Sequence, residues 1–148
     1  MTPQQFIAAL SAAAQACQKA DKIPASFTIA QAALESGWGA HAPGFNLFGI
    51  KADPSWHGAT VDLPTHEVVN GKTVAVTAKF RAYQDWAGSI NDHAQFLIKN
   101  KRYAPAFECT TGPAFAQAVA KAGYSTSPTY AQQITQLIDE HELQLLDV

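Results

Sequence analysis

Along the first 36 residues, apolar side chains recur every three or four positions, the period of helices with a buried face. Phe6, Ile7, Leu10, Ala13, Ala14 and Cys17 form the first such stripe. Thr2-Pro3-Gln4-Gln5 starts it, with Thr2 as N-cap, Pro3 at the first helical position and Gln5 closing a capping box. Asp21-Lys22-Ile23-Pro24 breaks this helix after about Ala20. A second helix runs from Pro24 to Ser36, and Gly37 is placed to end it in the left-handed conformation.

From His41 to Pro64 the helical period lapses. Pro43, Gly44, Gly49, Pro54, Gly58 and Pro64 predict loops, with one short extended piece at Leu47–Lys51. Thr65–Val69 and Lys72–Phe80 are β-prone runs joined by Asn70-Gly71, the signature of a hairpin with a type I′ turn. In that register Glu67 faces Val74. Helices then resume. Asp85 is placed to cap one that buries Trp86, Ile90, Ala94 (or His93) and Leu97. A loop through Lys101-Arg102-Tyr103 leads to a short helix from Pro113 to Ala122, stopped by Gly123. Ser127-Pro128 caps and opens a last helix burying Tyr130, Ile134, Leu137 and Ile138. The pattern predicts a single α+β domain over residues 1–148, mainly helical with one small hairpin.

Composition narrows the function. Charged residues make up 15% of the chain, below the ~25% of a typical domain. The net charge of -2 and the absence of any basic run exclude the usual electrostatic footprint for nucleic acid. No apolar stretch approaches the ~20 residues needed to cross a bilayer, so no membrane partner is expected. The N-terminal residues lack the charged and apolar regions of a secretory signal. Cys17 and Cys109 have no metal or redox spacing. They read as two buried small hydrophobes, with a single disulfide left open.

The twelve carboxylates can be sorted one by one. Asp139, Glu140, Glu142 and Asp147 belong to a polar C-terminal stretch and read as solvated. Asp85 is a cap, Asp92 sits on a polar helix face, Asp21 is in a turn, and Glu108 lies in an irregular segment. Glu35, Asp53, Asp62 and Glu67 remain. Glu35 continues a polar stripe with Thr28 and Gln31, which is one reading. The other is a carboxylic acid kept protonated, because the negative end of the helix dipole and the neighbouring Trp38 both disfavour its charge. Gly37 and Gly39 would then give a substrate room to approach. Glu67 reads equally as a charge guarding a sheet edge or as a second carboxylate on a flap across a cleft. His57, His66 and His93 could be combined with Asp53, Asp62 or Glu67 into a metal site only on paper, since no ligand spacing supports it. No metal and no cofactor are expected.

Several motifs occur in one order: Ala30-Gln-Ala-Ala-Leu-Glu-Ser-Gly-Trp-Gly39, Phe45-Asn-Leu-Phe-Gly-Ile-Lys51, Thr65-His-Glu67, Lys79-Phe-Arg-Ala-Tyr83 and Ala122-Gly-Tyr-Ser-Thr-Ser-Pro-Thr-Tyr-Ala131. Together they resemble glycoside hydrolase family 73, the glucosaminidase domain of bacterial autolysins and flagellar peptidoglycan hydrolases. The resemblance runs from about Ile23 to Ile138. The Glu-Ser-Gly-Trp-Gly piece alone is shared with lysozymes and lytic transglycosylases, whereas the ordered set is specific. One departure is Ser127, where the family often carries aspartate.

The resemblance implies a lysozyme-like fold, with a helical lobe and a hairpin lobe flanking a glycan cleft. It implies endo-β-N-acetylglucosaminidase activity on the β-1,4 bond between N-acetylglucosamine and N-acetylmuramic acid of peptidoglycan. Glu35 would be the general acid, Glu67 the candidate second carboxylate, and Tyr124 the cleft-floor tyrosine that orients the sugar. Trp38, Asn46, Phe48 and Tyr130 would line substrate subsites. Retaining, inverting and substrate-assisted routes all stay open. A neutral polysaccharide needs no charge complementarity from such a cleft. The expected partner is the glycan strand, met by a monomer. Release through a phage holin lesion, as an endolysin, or by a specialised secretion system, as an effector with an immunity protein, would carry the chain to the periplasm and wall. A lytic transglycosylase or muramidase of the same fold, and a non-catalytic wall-binding module, are the competing readings.

Overall fold

The capping box at the N-terminus forms as its residues predict. Thr2 Oγ1 accepts from Gln5 N at 3.1 Å, and Gln5 Oε1 accepts from Thr2 N at 2.9 Å. A computed structural model describes all 148 residues and places helix α1 over Pro3–Asp21. Phe6, Leu10, Ala14 and Cys17 form its buried face. Cys17 and Cys109 are both free thiols.

Helix α2, Ala25–Ser36, is the centre of the molecule. Its residues from Ala25 to Ala33 are all buried, as expected of a helix that is apolar almost all round. It contacts α1, α4 (Gly112–Lys121), α5 (Tyr130–Glu140) and a short 3-10 turn, Leu143–Leu146. Pro24 offers α2 no side-chain cap. Asp147 supplies one from the far end of the chain, accepting from Ser26 N at 2.8 Å and from Ser26 Oγ at 2.7 Å. A carboxylate at the positive end of a helix is favourably placed. Asp147 is thus a tertiary cap, not part of a solvated stretch.

Strands β1 (Thr60–Val69) and β2 (Lys72–Arg81) form the antiparallel hairpin, with Glu67 opposite Val74. Asn70 and Gly71 both have positive φ, 51° and 77°, as a type I′ turn requires. β1 begins at Thr60, earlier than the expected Thr65, and Pro64 pairs opposite Thr77. Both strands of a two-stranded sheet are edges, so the missing N–H of Pro64 breaks no inner ladder. Of the extended piece expected at Leu47–Lys51, only Lys51 pairs, as a bridge to Phe80.

Helix α3, Trp86–Lys99, is capped by Asp85, whose Oδ1 accepts from Gly88 N at 2.8 Å. Asp92 does not face solvent as expected. Arg81 Nη1 donates to its two oxygens at 3.2 and 3.0 Å, and the Tyr83 hydroxyl donates to Oδ2 at 2.5 Å. This cluster ties the base of the hairpin to α3. Helix α5 starts at Tyr130 after the N-cap Thr129, so Ser127 is not its cap. Ser127 Oγ instead accepts from Thr129 N at 3.4 Å within the preceding turn. Leu137 is half-buried, while Tyr130, Ile134 and Ile138 are buried. The result is α+β, a helical lobe and a small β-lobe.

Candidate active site

Glu35 is the penultimate residue of α2, and Gly37 ends that helix in the left-handed region with its N–H bonded to Ala33 O. The buried helix behind it fixes where the carboxylate emerges. It opens into a cleft of about 600 Å³ whose wall also includes Phe48, Lys51, Asp53, Arg81, Arg102, Tyr103 and Tyr124. Both lobes contribute, since Arg81 ends β2 while Tyr124 follows α4.

Tyr130 holds the acid. Its hydroxyl donates to Glu35 Oε1 at 2.6 Å and accepts from Gln31 Nε2 at 2.9 Å. Glu35 is exposed, yet the residues around it withhold part of its hydration. That desolvation raises its pKa above the ordinary carboxyl value, and the Tyr130 hydrogen bond opposes the rise only in part. Oε2 accepts no hydrogen bond from the chain, which leaves one oxygen to carry a proton toward the cleft.

The floor beside Glu35 is aromatic. Tyr124 stacks on Tyr130 with ring centroids 5.8 Å apart and planes at 17°. Burial first, then the charge of Glu35, push both phenols well above their usual pKa, so both stay neutral donors. Phe48 lies flat on His93 at 3.7 Å and 10°. His93 is buried beneath Phe48, and desolvation pushes its pKa down to about 3, so it is a neutral packing residue rather than a base.

The structure brings Glu35, Tyr124 and Phe48 into one cleft and places Tyr130 directly behind the acid. Tyr130 is 4% exposed and has its hydroxyl occupied, so it presents little surface to a substrate. Asn46 is buried too: Nδ2 donates to Ile50 O and Arg81 O, both at 2.9 Å, and Oδ1 accepts from Ile50 N at 3.2 Å. It shapes the loop that carries Phe48 and Lys51. Trp38 is turned away into the helical lobe, edge-on to Phe6 at 5.6 Å and to His141 at 4.9 Å. Gly39 gives no room to a substrate either, because a Cβ there would meet the Phe6 ring at 3.3 Å. Glu67 stands on the hairpin, about half exposed, paired with Lys51 Nζ at 3.0 Å. It is outside the cleft lining and connects to it through Lys51.

Arg81, Arg102, Tyr103 and Asp53 are cleft residues that sequence reasoning did not single out for this role. Asp53 was weighed there only as a metal ligand. In the structure it accepts from Ser55 N at 2.9 Å and from the Ser55 hydroxyl, and it pairs with Arg81 Nη2 at 3.3 Å. These contacts, the Ser55 hydroxyl foremost, hold its carboxyl below the ordinary range. No three His, Cys, Asp or Glu side chains gather where they could hold a metal ion.

Comparison with known proteins fits this geometry. The glucosaminidase family model, described as mannosyl-glycoprotein endo-beta-N-acetylglucosaminidase, matches residues 11–143. The chain is 38% identical over 142 residues to the peptidoglycan hydrolase FlgJ of Escherichia coli (strain K12), covering 91% of this chain and 45% of FlgJ. It is 37% identical over 152 residues to the exo-glucosaminidase LytG of Bacillus subtilis, covering 97% of this chain and 53% of LytG. It thus spans about half the length of these curated relatives. The catalytic domain of the autolysin Auto from Listeria monocytogenes superposes with a TM-score of 0.87 at 32% identity, covering 98% of this chain and 87% of that one. The two-lobed fold is therefore lysozyme-like, and the chain belongs to the glucosaminidase family of glycoside hydrolases, family 73.

Proposed function

We propose that this chain hydrolyses peptidoglycan as an endo-β-N-acetylglucosaminidase, cutting between N-acetylglucosamine and N-acetylmuramic acid with Glu35 as general acid. One observation carries the reading: a partly desolvated carboxyl with raised pKa opens onto an aromatic cleft, with one oxygen anchored and the other free. Such a group keeps its proton closer to neutral pH and can deliver it to a leaving glycosidic oxygen. Stacked tyrosine and phenylalanine rings suit sugar faces, and the neutral Tyr124 hydroxyl suits an acetamido or ring substituent. FlgJ's description as a peptidoglycan hydrolase and LytG's as a glucosaminidase support the substrate class.

The developing oxocarbenium centre needs a second partner. Glu67 fills that role if the hairpin closes over the glycan and releases Lys51. The substrate's own N-acetyl group is the other route. Glu67→Gln then lowers kcat under the first route and leaves it near native under the second.

The deciding test is Glu35→Gln on purified peptidoglycan, with mass spectrometry of the fragments. Native protein should release reducing N-acetylglucosamine ends, and the variant should lose roughly 10²–10⁴-fold in rate. Anhydro-muramic ends would instead identify a lytic transglycosylase. Undiminished turnover by the variant would remove Glu35 from the chemistry.

A further inference from the structure

Three cations line the cleft, and they are not equivalent. Lys51 is neutralised by Glu67 at 3.0 Å. Arg81 is neutralised twice, by Asp92 at 3.0 Å and Asp53 at 3.3 Å. Arg102 has no ion pair and no hydrogen bond within the chain. Its guanidinium carbon instead lies 5.2 Å from the centroid of the Tyr103 ring. Tyr103 is itself 2% exposed and packed against Tyr124 at 5.9 Å, so the platform under Arg102 is rigid and continuous with the cleft floor. A guanidinium held over a ring and paired with no carboxylate keeps N–H groups free for a planar anion.

Within peptidoglycan the sugars offer those N–H groups no charge, because the lactyl carboxyl of each muramic acid is consumed in the amide bond to its peptide. The peptide attached to the lactyl group of each muramic acid does, through its free carboxylates. We infer that Arg102 is a specificity determinant that pairs with a carboxylate of the stem peptide, so that the cleft selects strands whose peptides carry free carboxylates over strands with none. The inference rests on the peptidoglycan reading above and adds to it a charge preference that a neutral polysaccharide site would lack. Carboxylate and guanidinium match edge to edge with two parallel hydrogen bonds. The contact is solvent-exposed, so it contributes discrimination of about fivefold and not orders of magnitude. Salt should weaken it.

Three soluble substrates test this: glycan strands stripped of peptide and amidated at the lactyl carboxyls so exposed, peptide-bearing strands, and peptide-bearing strands whose carboxylates have been converted to amides. The native protein should show a KM about fivefold lower for the carboxylate-bearing strands than for the other two, at low ionic strength. In Arg102→Gln that ratio should collapse toward one, and Arg102→Lys should keep part of it, since charge survives but the fork does not. A native ratio near one overturns the proposal, as does an Arg102→Gln defect equal on all three substrates. Binding of the same strands to Glu35→Gln, followed by calorimetry, reads the preference without turnover. If the native protein cuts no strand, the hydrolase reading fails, and the binding series still decides Arg102.

Discussion

The Tyr130 hydroxyl sits between Gln31 Nε2 at 2.9 Å and Glu35 Oε1 at 2.6 Å, donating to the acid and accepting from the amide. The stripe of α2 that includes Gln31 and Glu35 is thus wired to α5 through one phenol. The phenol steadies the acid's geometry and also favours its ionised form, against the desolvation that opposes it.

Tyr130→Phe removes the donor and should raise the Glu35 pKa further. The alkaline limb of the kcat profile then moves to higher pH, while maximal kcat falls because the carboxyl is less well held. The Gln31 amide is left unpaired in the core, costing about 1–3 kcal/mol. A pH–rate profile with denaturant melts checks both. An alkaline limb that moves to lower pH would show that Tyr130 does not stabilise the carboxylate.

Glu35→Gln has an effect on stability separate from its effect on rate. The folded-state pKa of Glu35 is raised, so folding favours the protonated acid. The corresponding stability is complete below the ordinary value of 4.5 and is lost as pH rises through the folded pKa. Glutamine mimics the protonated form and can still accept from Tyr130. The variant should therefore melt higher than native protein at pH 7, with the gap closing below about pH 4. Equal melting temperatures at both pH values would show that the carboxyl is not desolvated.

His93 runs the opposite way. Its pKa is lowered from 6.5 to about 3 by burial, so the stability it contributes is present above 6.5 and is lost as pH falls toward 3. Its Nε2 has no partner, and the ring's main contact is the stack on Phe48. His93→Phe keeps an aromatic stack and removes the titration. Native protein should lose stability on acidification from pH 7 to 4 more steeply than the variant in urea melts. Parallel loss would mean that His93 charges without strain.

Arg81→Ala should be the most damaging change at the lobe junction. The arginine side chain is 11% exposed and the Asp92 side chain 19%. Removing the guanidinium leaves Asp92 with only the Tyr83 hydroxyl and Asp53 with only its Ser55 contacts. A fully buried pair broken on one side costs about 3–5 kcal/mol, and partial hydration here brings that to roughly 2–3 kcal/mol. Thermal melts measure the loss. A change below about 0.5 kcal/mol would mark the cluster as a solvated surface pair.

Local features were legible in the chain where neighbouring residues decide them. The Thr2–Gln5 capping box, the Gly37 helix stop and the Glu67–Val74 register follow from residues a few positions apart or from a turn that sets the pairing. Family resemblance added the fold and pointed at Glu35, where periodicity alone left a polar stripe as an equal reading. What sequence reasoning did not find depends on partners far along the chain. Asp92 looked solvated because Arg81 reaches it only once the hairpin folds against α3. The family resemblance implies substrate subsites at Tyr130 and Trp38, and resemblance carries position but not orientation. Their true neighbours, Glu35 for one and Phe6 and His141 for the other, are set by packing of the whole helical lobe.

The cap that Asp147 places on α2 bears on how the protein comes to be. Residues 26 and 147 are 121 positions apart, and Tyr130 follows Glu35 by 95. A nascent chain emerging from the ribosome makes the helix bearing the acid first, yet lacks the phenol that aims its carboxyl and the anchor of its first turn until Tyr130 and Asp147 have been made. Contacts of such long range form late in folding. Catalytic competence therefore arrives only after Tyr130 and Asp147 have been translated, and fragments ending before Tyr130 should carry Glu35 without a working site.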